Sequence, residues 1–151
     1  MSEFKPFDDK LAGLIGALSP AGRRKLAAEV AKELRKAQQQ RIKQQNAPDG
    51  TPYLARKRQP LRAKKGRIKR AMFQKLRTSR YMKASGRGDV AIVEFTGKVQ
   101  RIAQIRQYGL KDRPNQHAQD VQYPERRLAG FSQADKELVC KFTLKHINTM
   151  A

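Results

Sequence analysis

Phe7, Leu11, Leu14, Ile15 and Leu18 recur at the spacing of one helical face. Pro6 and the Asp8-Asp9 pair suit the first turn of such a helix, where acids meet the positive end of its dipole. Ser19-Pro20 restarts the chain, with Ser as N-cap and Pro at the first helical position. Beyond it Leu26, Val30 and Leu34 return every four residues, with Ala27, Ala31 and Ala37 beside them. The intervening Lys, Arg, Glu and Gln are good helix formers, so the pattern predicts a long second helix over residues 20–45. Its apolar stripe narrows to Ile42 within Gln38–Gln45. That far end is therefore expected to project from the core, solvated or against a neighbour.

Farther on, Arg70–Arg77 reads as a short helix with Met72, Phe73 and Leu76 inward. The period then changes. Arg80–Ser85 and Asp89–Phe95 flank Gly86-Arg87-Gly88, a hairpin signal with glycines for positive φ, and Ala91, Val93 and Phe95 alternate along the second strand. Val99, Ile102, Ala103 and Ile105 predict a helix ending at Tyr108-Gly109, with Gly109 left-handed. Lys111–Val121 is polar, contains Pro114 and reads as a loop. Tyr123–Phe131 is expected to run extended, because the residue before Pro124 avoids the helical region. Ser132 and Asp135 form a shortened capping box before a last helix carrying Leu138, Val139, Phe142, Leu144 and Ile147. The fold class is thus α+β: an N-terminal helical hairpin with one long helix, a small antiparallel β-hairpin or sheet, and a C-terminal helix packed on it. At 151 residues, 1–151 reads as a single domain.

Charge changes this picture in one place. Of a net charge of +21, residues 46–88 hold fourteen basic and one acidic residue. Within them residues 46–70 combine Pro48-Asp49-Gly50 with Pro52, Pro60, Gly66 and a dense basic run. Proline removes backbone donors and like charges repel when compact, so 46–70 is expected to be an exposed basic arm seeking a polyanion. The lone Cys140 excludes an internal disulfide and reads as a structural thiol in a reducing compartment. No apolar window reaches the length of a membrane span, and the Met-Ser-Glu-Phe-Lys-Pro start lacks a signal-peptide plan. The expectation is a protein made and used inside a cell, or released by lysis, with no membrane role.

Candidate chemistry is thin. His117 and His146 lie far apart in sequence, and one cysteine offers no zinc spacing. Gly86-Arg87-Gly88 lacks the length and the Lys-Ser/Thr of a phosphate-cradling loop. The reading is therefore no enzyme, no metal and no cofactor. What remains is the arm: Arg56, Lys57, Arg58, Arg62, Lys64, Lys65, Arg67, Lys69 and Arg70 could each displace a counterion from a polyanion. Only Tyr53 is near enough to stack, so nucleic-acid contact would be sequence-independent. A solvated loop, or one that neutralises acidic patches on a neighbouring subunit, accounts for the same residues equally well.

Several stretches together resemble one known family, the tail-completion or virion morphogenesis proteins of contractile-tailed temperate phages. They are Phe4 with Leu11–Ile15, Ser19–Arg24, Ala47–Tyr53 (with Pro48, Asp49, Gly50, Pro52 and Tyr53), Gly66–Phe73, Gln107-Tyr108-Gly109, and Tyr123–Ser132 (with Tyr123, Pro124, Gly130 and Phe131). They run in the family's order over almost the whole chain. Arg106 stands where the family often has His, and Arg126-Arg127 where it often has Arg-Pro. The resemblance implies a structural virion protein at the tail–neck junction, assembled in the host cytoplasm, that finishes the head-proximal end of the tail for joining to a head. It also implies a homo-oligomer, a hexameric ring. Its partners would be tail tube, sheath or terminator subunits, head-completion or neck proteins, and the DNA end. The alternative from a different class is a nonspecific cytoplasmic nucleic-acid-binding protein.

Overall fold

Helix α1, Lys5–Gly16, turns at Ala17–Ser19 into the long α2, Pro20–Lys43. In this computed structural model residues 5–56 and 71–150 are described. Strands β1 (Met82–Arg87) and β2 (Val90–Phe95) pair as one two-stranded sheet. Helix α3 (Val99–Tyr108) follows, then β3 (Lys111–Asp112) and β4 (Val121–Gln122), then α4 (Gln133–Met150). Among the described residues, four helices and two small sheets make an α+β fold. It divides into two compact units.

The first unit comprises the described residues up to Ala37, Lys83–Glu94 and those from Phe131 onward. The Ser19 hydroxyl accepts from the Gly22 N–H at 3.1 Å, so Ser19-Pro20 starts α2 as its residue types require. Leu26, Ala27, Val30 and Ala31 are buried along one side of that helix, while Lys32–Glu29 and Lys36–Glu33 pair in solvent. Helix α1 packs against α4, and Lys136 reaches Asp8 at 3.6 Å. The capping box of α4 closes in both directions despite the short Asp: Ser132 N–H donates to Asp135 Oδ2 at 3.0 Å, and Asp135 N–H donates to Ser132 Oγ at 3.1 Å. The broad apolar face expected of α4 is only half-buried at Leu138, Val139, Phe142, Leu144 and Ile147, and the buried positions among its described side chains are Asp135 and Thr143.

The hairpin differs in register from its sequence signal. The turn sits at Gly88-Asp89, with Gly88 at φ 57°, and Gly86 lies inside β1. The reason is space. A Cβ on Gly86 would stand 2.5 Å from the Ala28 nitrogen and 2.9 Å from the Arg24 carbonyl oxygen, so the strand meets the backbone of α2 directly.

The second unit comprises Gln38–Met82 and Phe95–Gly130, as far as these are described. Its core holds Ile42, Met72, Leu76, Met82, Val99, Ala103, Ile105 and Leu128. Two expectations are corrected here. The Gln-rich end of α2 does not project: Ile42 is fully buried, and the Gln39 amide donates to the Arg77 carbonyl at 2.7 Å. Residues 71–79 are not helical but form turns, with Phe73 at φ 65°. Gln45 explains both. Its side chain accepts from Met72 N–H at 2.7 Å and donates to the Met72 carbonyl at 2.9 Å, the carbonyl that a helix over 70–77 would have offered to Leu76 N–H. Gly109, at φ 64°, closes α3 as its left-handed cap, with Leu110 N–H donating to the Ile105 carbonyl at 3.0 Å. The expected loop after it is pinned at its base by β3 and β4, paired antiparallel as Lys111 with Gln122 and Asp112 with Val121.

Candidate functional site

The stretch leading into the basic run begins as a fastened loop of the second unit. Asp49 Oδ1 accepts from Thr51 N–H at 2.9 Å, Gly50 takes φ 87°, and Ala47 N–H donates to the Thr51 carbonyl at 2.8 Å. That bond to the Thr51 backbone, more than any other influence, holds the Asp49 carboxyl below its usual range. Asn46 and Pro52 form a single antiparallel bridge, and Tyr53 N–H donates to the Gln45 carbonyl at 2.8 Å. The Pro-Asp-Gly turn thus returns the chain to the end of α2.

A second strand of backbone then locks onto this loop. Tyr53 OH donates to the Arg127 carbonyl at 3.0 Å, and its ring meets Phe73 edge-on at 5.6 Å between centroids. Burial pushes the Tyr53 phenol up to about 12. Gly130 lies against Pro48 so closely that a Cβ would fall 2.6 Å from the proline Cγ, and Arg41 Nη2 donates to the Gly130 carbonyl at 3.0 Å. Gln107 holds the same segment from α3: its Oε1 accepts from Leu128 N–H at 2.7 Å and Ala129 N–H at 3.0 Å, while Nε2 donates to the Ala129 carbonyl at 2.7 Å. Gly109 admits the chain again at Glu125, whose nitrogen would be 2.9 Å from a Cβ.

At the exit of the loop stands a group of arginines. Arg126, 5% exposed, donates from Nε to the Leu54 carbonyl at 2.8 Å and from Nη2 to the Ala55 carbonyl at 3.1 Å. Its backbone N–H donates to the Arg106 carbonyl at 2.8 Å, and the Arg106 guanidinium lies 3.9 Å from the centroid of the Tyr123 ring. Burial first, then the charges of Arg106 and Arg56, push the Arg126 guanidinium below its ordinary value. Arg106 is also pushed down, mainly by burial and further by Arg56, with Tyr123 and Asp112 working the other way.

Of the arm residues named from the sequence, Arg56 is at this site; Lys57, Arg58, Arg62, Lys64, Lys65, Arg67, Lys69 and Arg70 lie outside the described residues. Of the family-like positions, Pro48, Asp49, Gly50, Pro52, Tyr53, Gln107, Gly109, Tyr123 and Gly130 fall in or beside the locked loop of the second unit. Tyr108 is 65% exposed, Pro124 is half-buried, and Phe131, 62% exposed, belongs to the first unit. Gln45, Arg106 and Arg126 were not singled out as site residues by periodicity. No local pattern marks them, since each grips backbone or a ring distant in sequence. Among the described residues no group of His, Cys, Asp and Glu is placed to hold a metal ion, and no helix is long and apolar enough to cross a membrane. The arrangement can grip backbone and present cations.

Comparison with known proteins adds to this geometry. The model of the phage virion morphogenesis family matches residues 2–148. The tail completion protein S of Escherichia phage P2 is 46% identical over 148 residues, covering 97% of this chain and 99% of that protein. No solved structure matches the chain.

Proposed function

The chain belongs to the phage virion morphogenesis family, and we propose from that membership that it is a structural virion protein that completes the head-proximal end of the tail and enables tail-to-head joining. The observation that carries this reading is the 46% identity, end to end, with a protein named for tail completion. In this reading the protein works at the tail–neck junction after assembly in the host cytoplasm. Its neighbours are tail tube, sheath or terminator subunits and head-completion proteins, and six copies form a ring. The helix end expected from the sequence to project is instead packed into the second unit at Ile42 and Gln39, with Gln40, Lys43 and Gln44 left exposed. Ring closure requires a heterologous contact between two different patches.

The basic residues after Arg56 act in this reading as an arm that orders on a neighbour or along the DNA passage. The whole of 1–151 works as one assembly part, with 46–70 its contact segment. Support comes from the charge, fourteen basic residues to one acidic over 46–88, and from the fastening of residues 46–55, which gives the run a fixed root. The test is genetic. A phage lacking the protein should accumulate DNA-filled heads and separate tails by electron microscopy. Deleting residues 57–69 alone, which spares the fastened loop, should give the same phenotype in milder form. Joined particles at wild-type frequency without the protein would overturn the assembly reading.

The same charge block supports one competing reading, free nonspecific nucleic-acid binding. It requires tight binding to random duplex with a steep salt slope. No binding at about 0.05 M salt would remove it.

A further inference from the structure

The hairpin of β1 and β2 has two unlike edges. Its tight turn at Gly88-Asp89, with Gly88 at φ 57°, pairs Arg87 with Val90. Thr96 N–H donates to the Tyr81 carbonyl at 2.9 Å, which keeps the same register at the other end. Alternate residues of an antiparallel pair exchange bonds, so Lys83, Ser85 and Arg87 face Glu94, Ile92 and Val90 across the ladder. Ala84 and Gly86 of β1, and Ala91 and Val93 of β2, therefore direct their N–H and carbonyl groups outward. Among the described residues the sheet has two strands, and no backbone bond reaches these four residues from outside it. Their side chains share the face that Gly86 turns toward α2.

Composition separates the two edges. Strand β2, Val90–Phe95, is mostly β-branched or aromatic and has no Pro, Gly, Lys or Arg. Such an edge is a template for another strand, which monomeric proteins guard with Lys, Pro or a bulge. Counting the turn, its charges are Asp89 and Glu94; those of β1 are Lys83 and Arg87. Arg23 meets Asp89 at 3.4 Å, but among the described residues the exposed Lys83, Arg87 and Glu94 form no ion pair. We propose that β2 of one copy of this chain pairs antiparallel with β1 of the next, so that the sheet runs from copy to copy. The register that engages all four outward residues sets Ala91 opposite Gly86, and Val93 opposite Ala84, of the next copy. It also brings Glu94 opposite Lys83 of the next copy and continues the apolar face without a break. A net charge of +21 opposes unspecific self-association, so local charge commits the occupant: an acidic edge and a basic edge of the same chain. Two different edges make a heterologous contact, the kind that closes a ring. The inference deepens the assembly reading and rests on it for closure.

The test uses the full chain with Cys140→Ser, so that each further variant carries one thiol. Ser85→Cys and Ile92→Cys copies are mixed at about 0.1 mM, oxidised, and read on a non-reducing gel. In the proposed register Ser85 of one copy and Ile92 of its neighbour are a non-hydrogen-bonded pair, whose Cβ atoms lie close enough for a disulfide. The mixture should give linked dimer at least about fivefold above either variant alone. Val93→Pro, placed in the Ile92→Cys chain, removes an outward donor and none that β1 uses, and should return the mixture to background with circular dichroism unchanged. Glu94→Lys, an exposed charge reversal, repeats the test without touching the backbone and should lower linkage at least about twofold. Linkage no greater in the mixture than in the single variants overturns the proposal. So does linkage in Ile92→Cys alone, which would pair β2 with itself. Phage assays separate the two ideas. Heads and tails left unjoined without the protein, but no linkage, keep the assembly reading and remove the shared sheet; linkage in a protein dispensable for joining does the reverse.

Discussion

Gln107 holds Ala129 by both of its backbone groups, accepting from its N–H at 3.0 Å and donating to its carbonyl at 2.7 Å. This is the pairing of neighbouring residues in an antiparallel sheet, performed by a side-chain amide. Gln45 does the same to Met72, at 2.7 and 2.9 Å. The strands that lie wholly within the described residues of the second unit, β3 and β4, have two residues each, and these two glutamines supply ladder contacts to irregular backbone that would otherwise be buried without partners. The acceptors and donors around Gln107 also fix its amide orientation, since two N–H groups face one end and a carbonyl the other.

Gln107→Ala therefore strands the N–H groups of Leu128 and Ala129 and the Ala129 carbonyl. The expected loss is about 2–4 kcal/mol of unfolding free energy, measured by urea titration. Gln100→Ala, on the exposed side of α3, is the control and should fall within about 0.5 kcal/mol of wild type. Amide exchange at Leu128 should accelerate in the first variant only. Equal stability of the two variants would show that water replaces the clamp.

These clamps mark the boundary of what the residues disclose by pattern. Helices α1 to α4 were legible because apolar residues recur at helical spacing along the chain, and Gly109 because a left-handed residue must end α3 there. Capping at Ser19 and Ser132 was legible because the partner lies three residues away. Gln45 and Gln107 act on backbone 27 and 22 residues distant, and a glutamine that grips has no local feature to separate it from one in solvent. The same cause misplaced the 70–77 helix. Met72 and Leu76 are buried as their spacing suggested, but Gln45 captures the Met72 backbone. Gly86 was legible as a special position and misread as a turn, because the approach of the α2 backbone is a tertiary fact.

Gly86 and Gly88 separate two reasons for glycine. Gly86→Ala would force a Cβ to 2.5 Å from the Ala28 nitrogen, inside a helix whose backbone cannot yield without losing bonds. The expected cost is about 3 kcal/mol or more, by thermal unfolding. Gly88→Ala meets nothing within 4 Å and bears only the strain of φ 57°, about 1 kcal/mol. If Gly86→Ala proves as mild as Gly88→Ala, β1 does not lie against α2 in solution.

Tyr53 predicts an alkaline limit. Its folded-state value, about 12, lies above its unfolded value near 10, so the fold favours the neutral phenol. Its contribution is complete below about pH 10 and is lost as pH rises through about 12. Ultraviolet titration of tyrosinate should show a late component that Tyr53→Phe removes, along with part of the fall in stability over that window. Near pH 7 the same variant loses the bond to the Arg127 carbonyl, about 1 kcal/mol. Loss of a component at about pH 10 in Tyr53→Phe, in place of the late one, would put the ring in water.

Gly109 carries both constraints at once, which gives it an unusual substitution pattern. At an ordinary left-handed helix end, Asn replaces Gly at small cost because its side chain tolerates positive φ. Here φ is 64°, but a Cβ would also stand 2.9 Å from the Glu125 nitrogen and 3.2 Å from its Cα. Asn shares that Cβ with Ala. Both substitutions should therefore cost about 2–3 kcal/mol, with Asn no more than about 0.5 kcal/mol better than Ala. They should also loosen the hold of residues 123–130 on the loop at 46–55, read as faster amide exchange at Tyr53 and Arg126. A rescue by Asn of more than about 1 kcal/mol would mean that backbone conformation alone demands the glycine and that Glu125 does not press against it.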